Sequence, residues 1–423
     1  MVAVSLLSAR AADSPPAGLT LTLIQARQLA LERNRDFRVA QFQVNAAVAL
    51  LKAAREYPNP TLALSTTKVP TDRSNAATTL GNGLLDRSYD SVVALSQLLP
   101  IAKRGVERDA ATAGVHVAQS QRDDAQRLLL QSVTQAYIGA VSAREQAVVL
   151  ERSAAALRHE ADIAKHRLDA GDLSESDEAQ IEIAADQDEL AAETQRTTAR
   201  TAVVVLETLL GEPSPNGATA LSDALSTLVP TDPSFADLTP GHRPDIAAAE
   251  AAVAQADANA TLQRRQAIPD ITVTVQYERE PPDQSNTGGV GLSLPLPIWN
   301  RNTGNWEAAK AARSQAEAQL DKARIQAAAD VAQARFAYRE ASQRMRRYLD
   351  SVVPKSTRAT HSVSYAYEKG GTSLVNLLEA ERNDNLIGLA SVQAQADAAA
   401  AASGLLTALG RLEPGTTGPS LSP

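Results

Sequence analysis

The sequence predicts a mainly α protein with a small β part: a trimeric α-helical barrel continuous with a 12-stranded β-barrel, four strands per chain, built from two internal repeats. Three observations carry this expectation. The 423 residues hold only 4 Phe, 2 Trp and 2 Met, and the apolar 44% is mostly Ala, Val and Leu. Small side chains suit helices packed closely along one another and do not fill a thick core. The chain also repeats itself after about 200 residues. Finally, each half sets two alternating apolar segments between long helical stretches.

The repeat shows in four pairs that keep the same order. Leu206-Glu207-Thr208-Leu209-Leu210-Gly211 returns as Leu405-Leu406-Thr407-Ala408-Leu409-Gly410, and Gly171 returns as Gly370. Leu95 to Ile101 returns as Leu292 to Ile298, and Tyr57-Pro58-Asn59 as Ile268-Pro269-Asp270. Residues 12–211 therefore form a first repeat and 244–410 a second, with a Pro- and Gly-rich linker at 212–243 and a disordered tail at 411–423. Residues 1–11 resemble the remnant of an export signal, with Ala9-Arg10-Ala11 as the cleavage site.

Within the first repeat, Thr22 to Gln25 reads as a capping box opening a helix that ends near Asn34. A second helix runs from Asp36 to Tyr57, where Pro58 and Pro60 stop it. Residues 61–68 and 89–98 read as a pair of strands, and 271–279 with 288–296 as their counterparts. Ile271, Val273, Val275 and Tyr277 alternate with Thr272, Thr274, Gln276 and Glu278. Val290, Leu292, Leu294 and Leu296 continue the alternation. Each hairpin ends at Pro100 or Pro297, and a long helix follows. Residues 101–212 contain no Pro. Leu130, Val133, Tyr137, Val141 and Val148 space out as a coiled-coil seam. Breaks are expected at Gly171 and at Gly370-Gly371, and a kink at Pro354.

No stretch reaches the ~18 apolar residues of a membrane-spanning helix, so a membrane protein of this composition has to be a β-barrel. Strands of 9–10 residues have the length of tilted membrane strands. Four strands cannot close a barrel, and an open edge is not tolerated in lipid. Two chains give a barrel filled by its own side chains, whereas three give twelve strands and a lumen.

Composition excludes other classes. Net charge is −8 and the chain lacks Cys. Nucleic-acid binding and thiol chemistry drop out. There is no G-x-S-x-G, P-loop or H-E-x-x-H pattern, so no enzyme activity, cofactor or resident metal is expected. His159 and His166, seven residues apart, could offer half a metal site but read better as solvated side chains. The segment from Leu168 to Gln195 carries ten acids and no Lys or Arg. Near a pore mouth such charge concentrates cations; otherwise it is a solvated helix face.

The plan resembles the outer-membrane efflux channel family, TolC-like outer membrane factors. Asn34-Arg35-Asp36, Pro58-Asn59-Pro60, Arg243-Pro244-Asp245-Ile246, the Leu294 to Gly304 segment and the tips around Gly171 and Gly370 carry the likeness. The Pro297 to Gly304 wording is most similar to the heavy-metal, cobalt–zinc–cadmium branch. The resemblance implies a homotrimer in the bacterial outer membrane, with its helical barrel in the periplasm. It implies partners too: a periplasmic adaptor, an inner-membrane RND-type pump and outer-membrane lipid. The expected function is passive conduction of divalent heavy-metal cations. The same role for organic solutes or drugs is the alternative, and a secreted structural coiled coil a more distant one. With no Cys to acylate, the barrel alone is expected to hold the membrane.

The resemblance also assigns residues. Asn376 and Glu379 fall at the periplasmic aperture. Asp177 and Tyr367 match contacts between neighbouring hairpins in a closed gate, with Thr372 where a basic partner often stands. Gly171, Asp172, Leu173, Gly370 and Gly371 form the adaptor-docking tips. Ile271, Val273, Val275 and Tyr277 form the lipid-facing strand surface.

Overall fold

A computed structural model describes residues 20–67, 90–230, 241–280 and 285–411. The expected export remnant at 1–11, Lys68, Tyr89, residues 231–240 and the tail from 412 lie outside the described residues. Helix α1 (Leu23–Arg33) opens on the capping box read from the sequence. Thr22 Oγ1 accepts from the Gln25 amide at 3.2 Å, and Gln25 Oε1 accepts from the Thr22 amide at 3.0 Å. Asn34 then ends α1 and starts α2 (Arg35–Arg55), its Oδ1 accepting from the Phe37 amide at 2.9 Å. The capping groups occupy backbone donors that the first helical turn leaves unpaired.

The chain divides into two compact units, and each draws on both sequence repeats. One comprises Ala40–Arg122 and Asp245–Ile325 and holds the β-sheet. Strands β1 (Thr61–Thr67), β2 (Asp90–Leu99), β3 (Ile271–Glu280) and β4 (Ser285–Ser293) pair antiparallel in sequence order. Register decides what each face carries. Leu62 opposes Leu95, Leu95 opposes Val275, and Val275 opposes Val290, giving one apolar row across all four strands. The next row on the other face joins Ser96 to Thr274, whose hydroxyls lie 2.9 Å apart.

The fourth strand is shifted from the expected 288–296. It begins at Ser285 and ends at Ser293, so Leu294 and Leu296 lie beyond it. Pro295 and Pro297 supply no amide for a ladder, which stops pairing before the alternation of side chains stops. In the elbows around the strands, Lys103 pairs with Asp270 at 2.8 Å, and the Arg104 guanidinium lies 3.4 Å over the Tyr57 ring. Helix α6 (Pro244–Gln266) precedes β3. Asn302 adopts φ 58°, and its Nδ2 donates to the Gln263 carbonyl at 2.8 Å.

The other unit comprises Met1–Val39, Asp123–Pro244 and Gln326–Pro423. It gathers portions of α3 (Arg104–Asp169) and α7 (Thr303–Arg347), with α4 (Glu175–Leu209), the short α5 (Leu225–Leu228), α8 (Val353–Glu368) and α9 (Leu374–Ala408). Ala26, Val133, Tyr137, Val141, Leu206, Leu225 and Ala398 form its core. The expected seam holds from Leu130 to Val141, but Val148 is 39% exposed while Ala147 and Leu150 are buried. A straight helix turns 3.6 residues per turn, so a strict heptad drifts off its partner and the buried stripe moves by one position.

The segment joining the repeats packs into this core. Leu21 and Leu221 form a parallel bridge, and Asp223 Oδ2 accepts from the Leu23 amide and the Tyr137 hydroxyl. Between α7 and α8, Tyr348–Val352 forms a π-helical turn, and Pro354 sits in the first turn of α8. The proline ring clashes with the carbonyl four residues back, and a wider turn relieves the clash.

Candidate functional site

Two helical hairpins end in the same turn. At α3–α4, Gly171 takes φ 82°, its amide donates to Leu168 O, and the Asp172 amide donates to Arg167 O. At α8–α9, Gly370 takes φ 73°, its amide donates to Tyr367 O, and the Gly371 amide donates to Ala366 O. Both are Schellman ends, which require a left-handed residue. Ser174 and Ser373 then cap the return helices through the amides of Asp177 and Asn376. A Cβ at Gly171 or Gly370 would meet nothing within 4 Å, so backbone conformation and not crowding selects glycine there.

Of the tip residues, Asp172, Gly171, Gly370 and Gly371 are exposed, whereas Leu173 is half-buried. Leu173 packs on a cluster of Ala161, Ala164, Ile181, Tyr367, Leu374 and Leu377. Tyr367 is only 6% exposed, with the Arg167 guanidinium 5.5 Å from its ring centre. Its hydroxyl has no hydrogen-bond partner. Burial pushes the phenol pKa up; Arg167 opposes this, and the charges of Glu160 and Asp177 add to it. Tyr367 and Asp177 are thus brought into electrostatic range but share no hydrogen bond. Thr372 Oγ1 accepts from Asn376 Nδ2 at 3.0 Å, which joins a gate candidate to an aperture candidate. Asn376 and Glu379 both stand exposed on α9.

The acidic run is partly structural. The Arg158 guanidinium bonds Asp186 at 2.8 Å and Glu189 at 2.5 Å, and Ser153 donates to Asp188. His159 and His166 are exposed. Sequence inspection missed Glu160, which is 9% exposed, and the half-buried Glu381. Burial pushes both carboxyls up, and each has further acids as neighbours. Nothing local marks them, because the helices that bury them come from distant parts of the chain.

In the sheet unit, Val275 and Tyr277 are 55% and 50% exposed, and Ile271 and Val273 are half-buried. All four share the face that carries Leu62, Leu95, Val290 and Leu292. Asp90, Glu278 and Glu280 bring carboxylate oxygens within 4.8 Å of one another near the opposite end of β3 from Ile271. Among the described residues, no helix is long and apolar enough to cross a membrane.

The outer membrane efflux protein family matches residues 26–212 and 237–411. The chain is 23% identical over 368 residues to the cobalt-zinc-cadmium resistance protein CzcC of Cupriavidus metallidurans, covering 86% of this chain and 83% of that one. It is 26% identical over 308 residues to the outer membrane efflux protein BepC of Brucella suis, covering 70% and 65%. Its fold matches the outer membrane protein VceC of Vibrio cholerae with a TM-score of 0.73 at 19% identity, over 92% of this chain and 96% of that one. With four paired strands, two glycine-ended hairpins and both repeats inside the match, the chain belongs to the outer membrane efflux protein family and is an efflux channel of the bacterial outer membrane, not an enzyme.

Proposed function

We propose that three copies close one 12-stranded barrel and conduct divalent heavy-metal cations delivered by an inner-membrane RND-type pump and a periplasmic adaptor. The observation that carries the barrel is the apolar row Leu62–Leu95–Val275–Val290, continuous across every strand and exposed on each. Such a surface is stable against lipid and costly against water. Two further copies pair the open edges at β1 and β4. The cation preference draws on the CzcC likeness and on exposed acids of α4, such as Glu175 and Glu182, that pair with no base among the described residues. The tips at Gly171 and Gly370, with little side chain in the way, are the adaptor's docking points.

Deleting the gene and scoring growth on cobalt, zinc and cadmium salts tests the substrate. Increased sensitivity to metals alone supports the reading. Unchanged metal tolerance with sensitivity to organic toxicants transfers the role to organic solutes, the direction of the chain's likeness to a pyoverdine export protein of Pseudomonas putida, 26% identical over 298 residues and covering 65% of this chain and 60% of that one. A detergent-solubilised particle that is not a trimer removes the shared barrel.

A further inference from the structure

Above the tip, the two hairpins of the chain meet on acids. Glu160 of α3 is 9% exposed. Its Oε1 receives the Ser364 hydroxyl of α8 at a long 3.4 Å, and its Oε2 is buried with no hydrogen-bond donor. Glu381 of α9 is half-buried and within electrostatic reach of Glu160, of Asp188 on α4 and of Asp384 on its own helix. Glu368 of α8 also bears on Glu160, and His159 is the basic group that opposes it. Nearby, Asn385 Nδ2 donates to Asp188 at 3.3 Å, while Asn385 Oδ1 is a second buried acceptor without a donor. Among the described residues, no Lys or Arg forms an ion pair with Glu160, Glu381, Asp188, Asp384 or Glu368. The Tyr367 hydroxyl, itself unpartnered, and Arg167 beside its ring also lie on this side, yet neither bonds Glu160, so the contact between hairpins leaves buried acceptors unmatched. A buried acceptor left unmatched is costly, and two ionised carboxylates in one site repel.

We propose that Glu160 and Glu381 form a proton-operated latch between the two hairpins, closed when these carboxyls are protonated and loosened when both are ionised. Protonation removes the repulsion and the cost of holding a charge away from water in one step. No third acid or histidine lies close enough to this pair, among the described residues, to complete a preformed metal cage. Burial and acidic neighbours hold both carboxyls above the ordinary 4.5, in keeping with a folded state that takes up protons. The sign follows: the folded state binds more protons than the unfolded one. The latch is therefore fully stabilising below the ordinary glutamate value and is lost as pH rises through the raised values. The loosening of the tip as a channel gate rests on the channel function; the latch itself does not.

The chain has no cysteine, so Lys165→Cys and Lys369→Cys place one spin label on each hairpin without background. Diluted into unlabelled protein, the pair should report a longer and broader distance at about pH 8 than at about pH 5. Glu160→Gln carries no charge at any pH, and its distance should stay short throughout, with a smaller fall in thermal stability as pH rises. Glu381→Gln should flatten the profile in the same way. A wild-type distance that ignores pH, or a Gln variant that keeps the full pH response, overturns the latch. So does a wild-type distance that is shortened at about pH 8 by calcium or zinc but not by acid, which would make the site a metal site. Conductance of the same preparation in planar bilayers is read separately, and its absence would count against the channel and not the latch.

Discussion

Asn34 Nδ2 donates a 2.9 Å hydrogen bond to the carbonyl of Leu209, closing the C-terminal end of α4 against the α1–α2 junction. The second repeat makes the same closure with a different side chain: Arg243 Nη1 donates to Ala408 O at 3.0 Å, at the end of α9. Beside each, a left-handed glycine is pressed on backbone. A Cβ at Gly211 would lie 2.5 Å from Arg33 O, and one at Gly410 would lie 2.6 Å from His242 O. Two stretches of sequence with different polar groups thus solve one problem, pairing the last carbonyls of a return helix.

Removing these donors should destabilise unequally. Asn34→Ala loses one neutral bond to Leu209 and one cap on Phe37, a cost of about 1–2 kcal/mol. Arg243→Ala leaves Ala408 O and Asp330 without a charged donor, a cost of about 2–3 kcal/mol. Thermal melts of the detergent-solubilised protein give the order, and an Asn34 variant that falls further than the Arg243 variant would contradict it.

Glycine replacements separate strain from crowding. Gly370→Val meets open space and carries only the left-handed penalty, about 1–2 kcal/mol. Gly410→Val adds a backbone clash and should fail to accumulate as folded protein. The Gly370 variant should assemble as trimers yet bind the adaptor more weakly in a pull-down. Normal adaptor binding would take the tip out of the docking surface.

The two faces of β3 should respond oppositely to charge. Val275→Arg puts a guanidinium on the exposed apolar row and should cost about 2–4 kcal/mol of folding free energy if it sits near the bilayer midplane. Thr274→Arg, on the face shared with Ser96, should cost little. Folding into lipid vesicles, followed by resistance to protease, measures both. Equal tolerance would mean that the row does not face lipid.

Exposed Glu379 on α9 becomes three carboxylates if the helix lines a threefold axis. Glu379→Gln should then lower cation-over-anion selectivity in single-channel recordings and weaken block by divalent ions. Asn376 is tied to Thr372 and should contribute less: Asn376→Ala should leave selectivity close to wild type. Unchanged selectivity in the Gln variant would move the charge filter to the acids of α4.

What the sequence determined by itself was local or periodic. The Thr22–Gln25 capping box, the left-handed glycines and the alternation along β3 are each set by groups a few residues apart, so they are legible without a fold. The repeat was legible for the same reason, because equivalent local problems recur in one order. Only the tertiary structure decided the rest. Proline spacing ended β4 at Ser293 although its apolar alternation ran on, and helix phase moved the seam from Val148 to Ala147 and Leu150. Arg243 turned from a motif letter into a helix anchor through carbonyls on two distant helices. Glu160 and Glu381 look like any solvated helix acids in the sequence. Packing of one hairpin on the other removes their water and leaves Glu160 Oε2 without a donor, and desolvation is a property of neighbours that lie far along the chain.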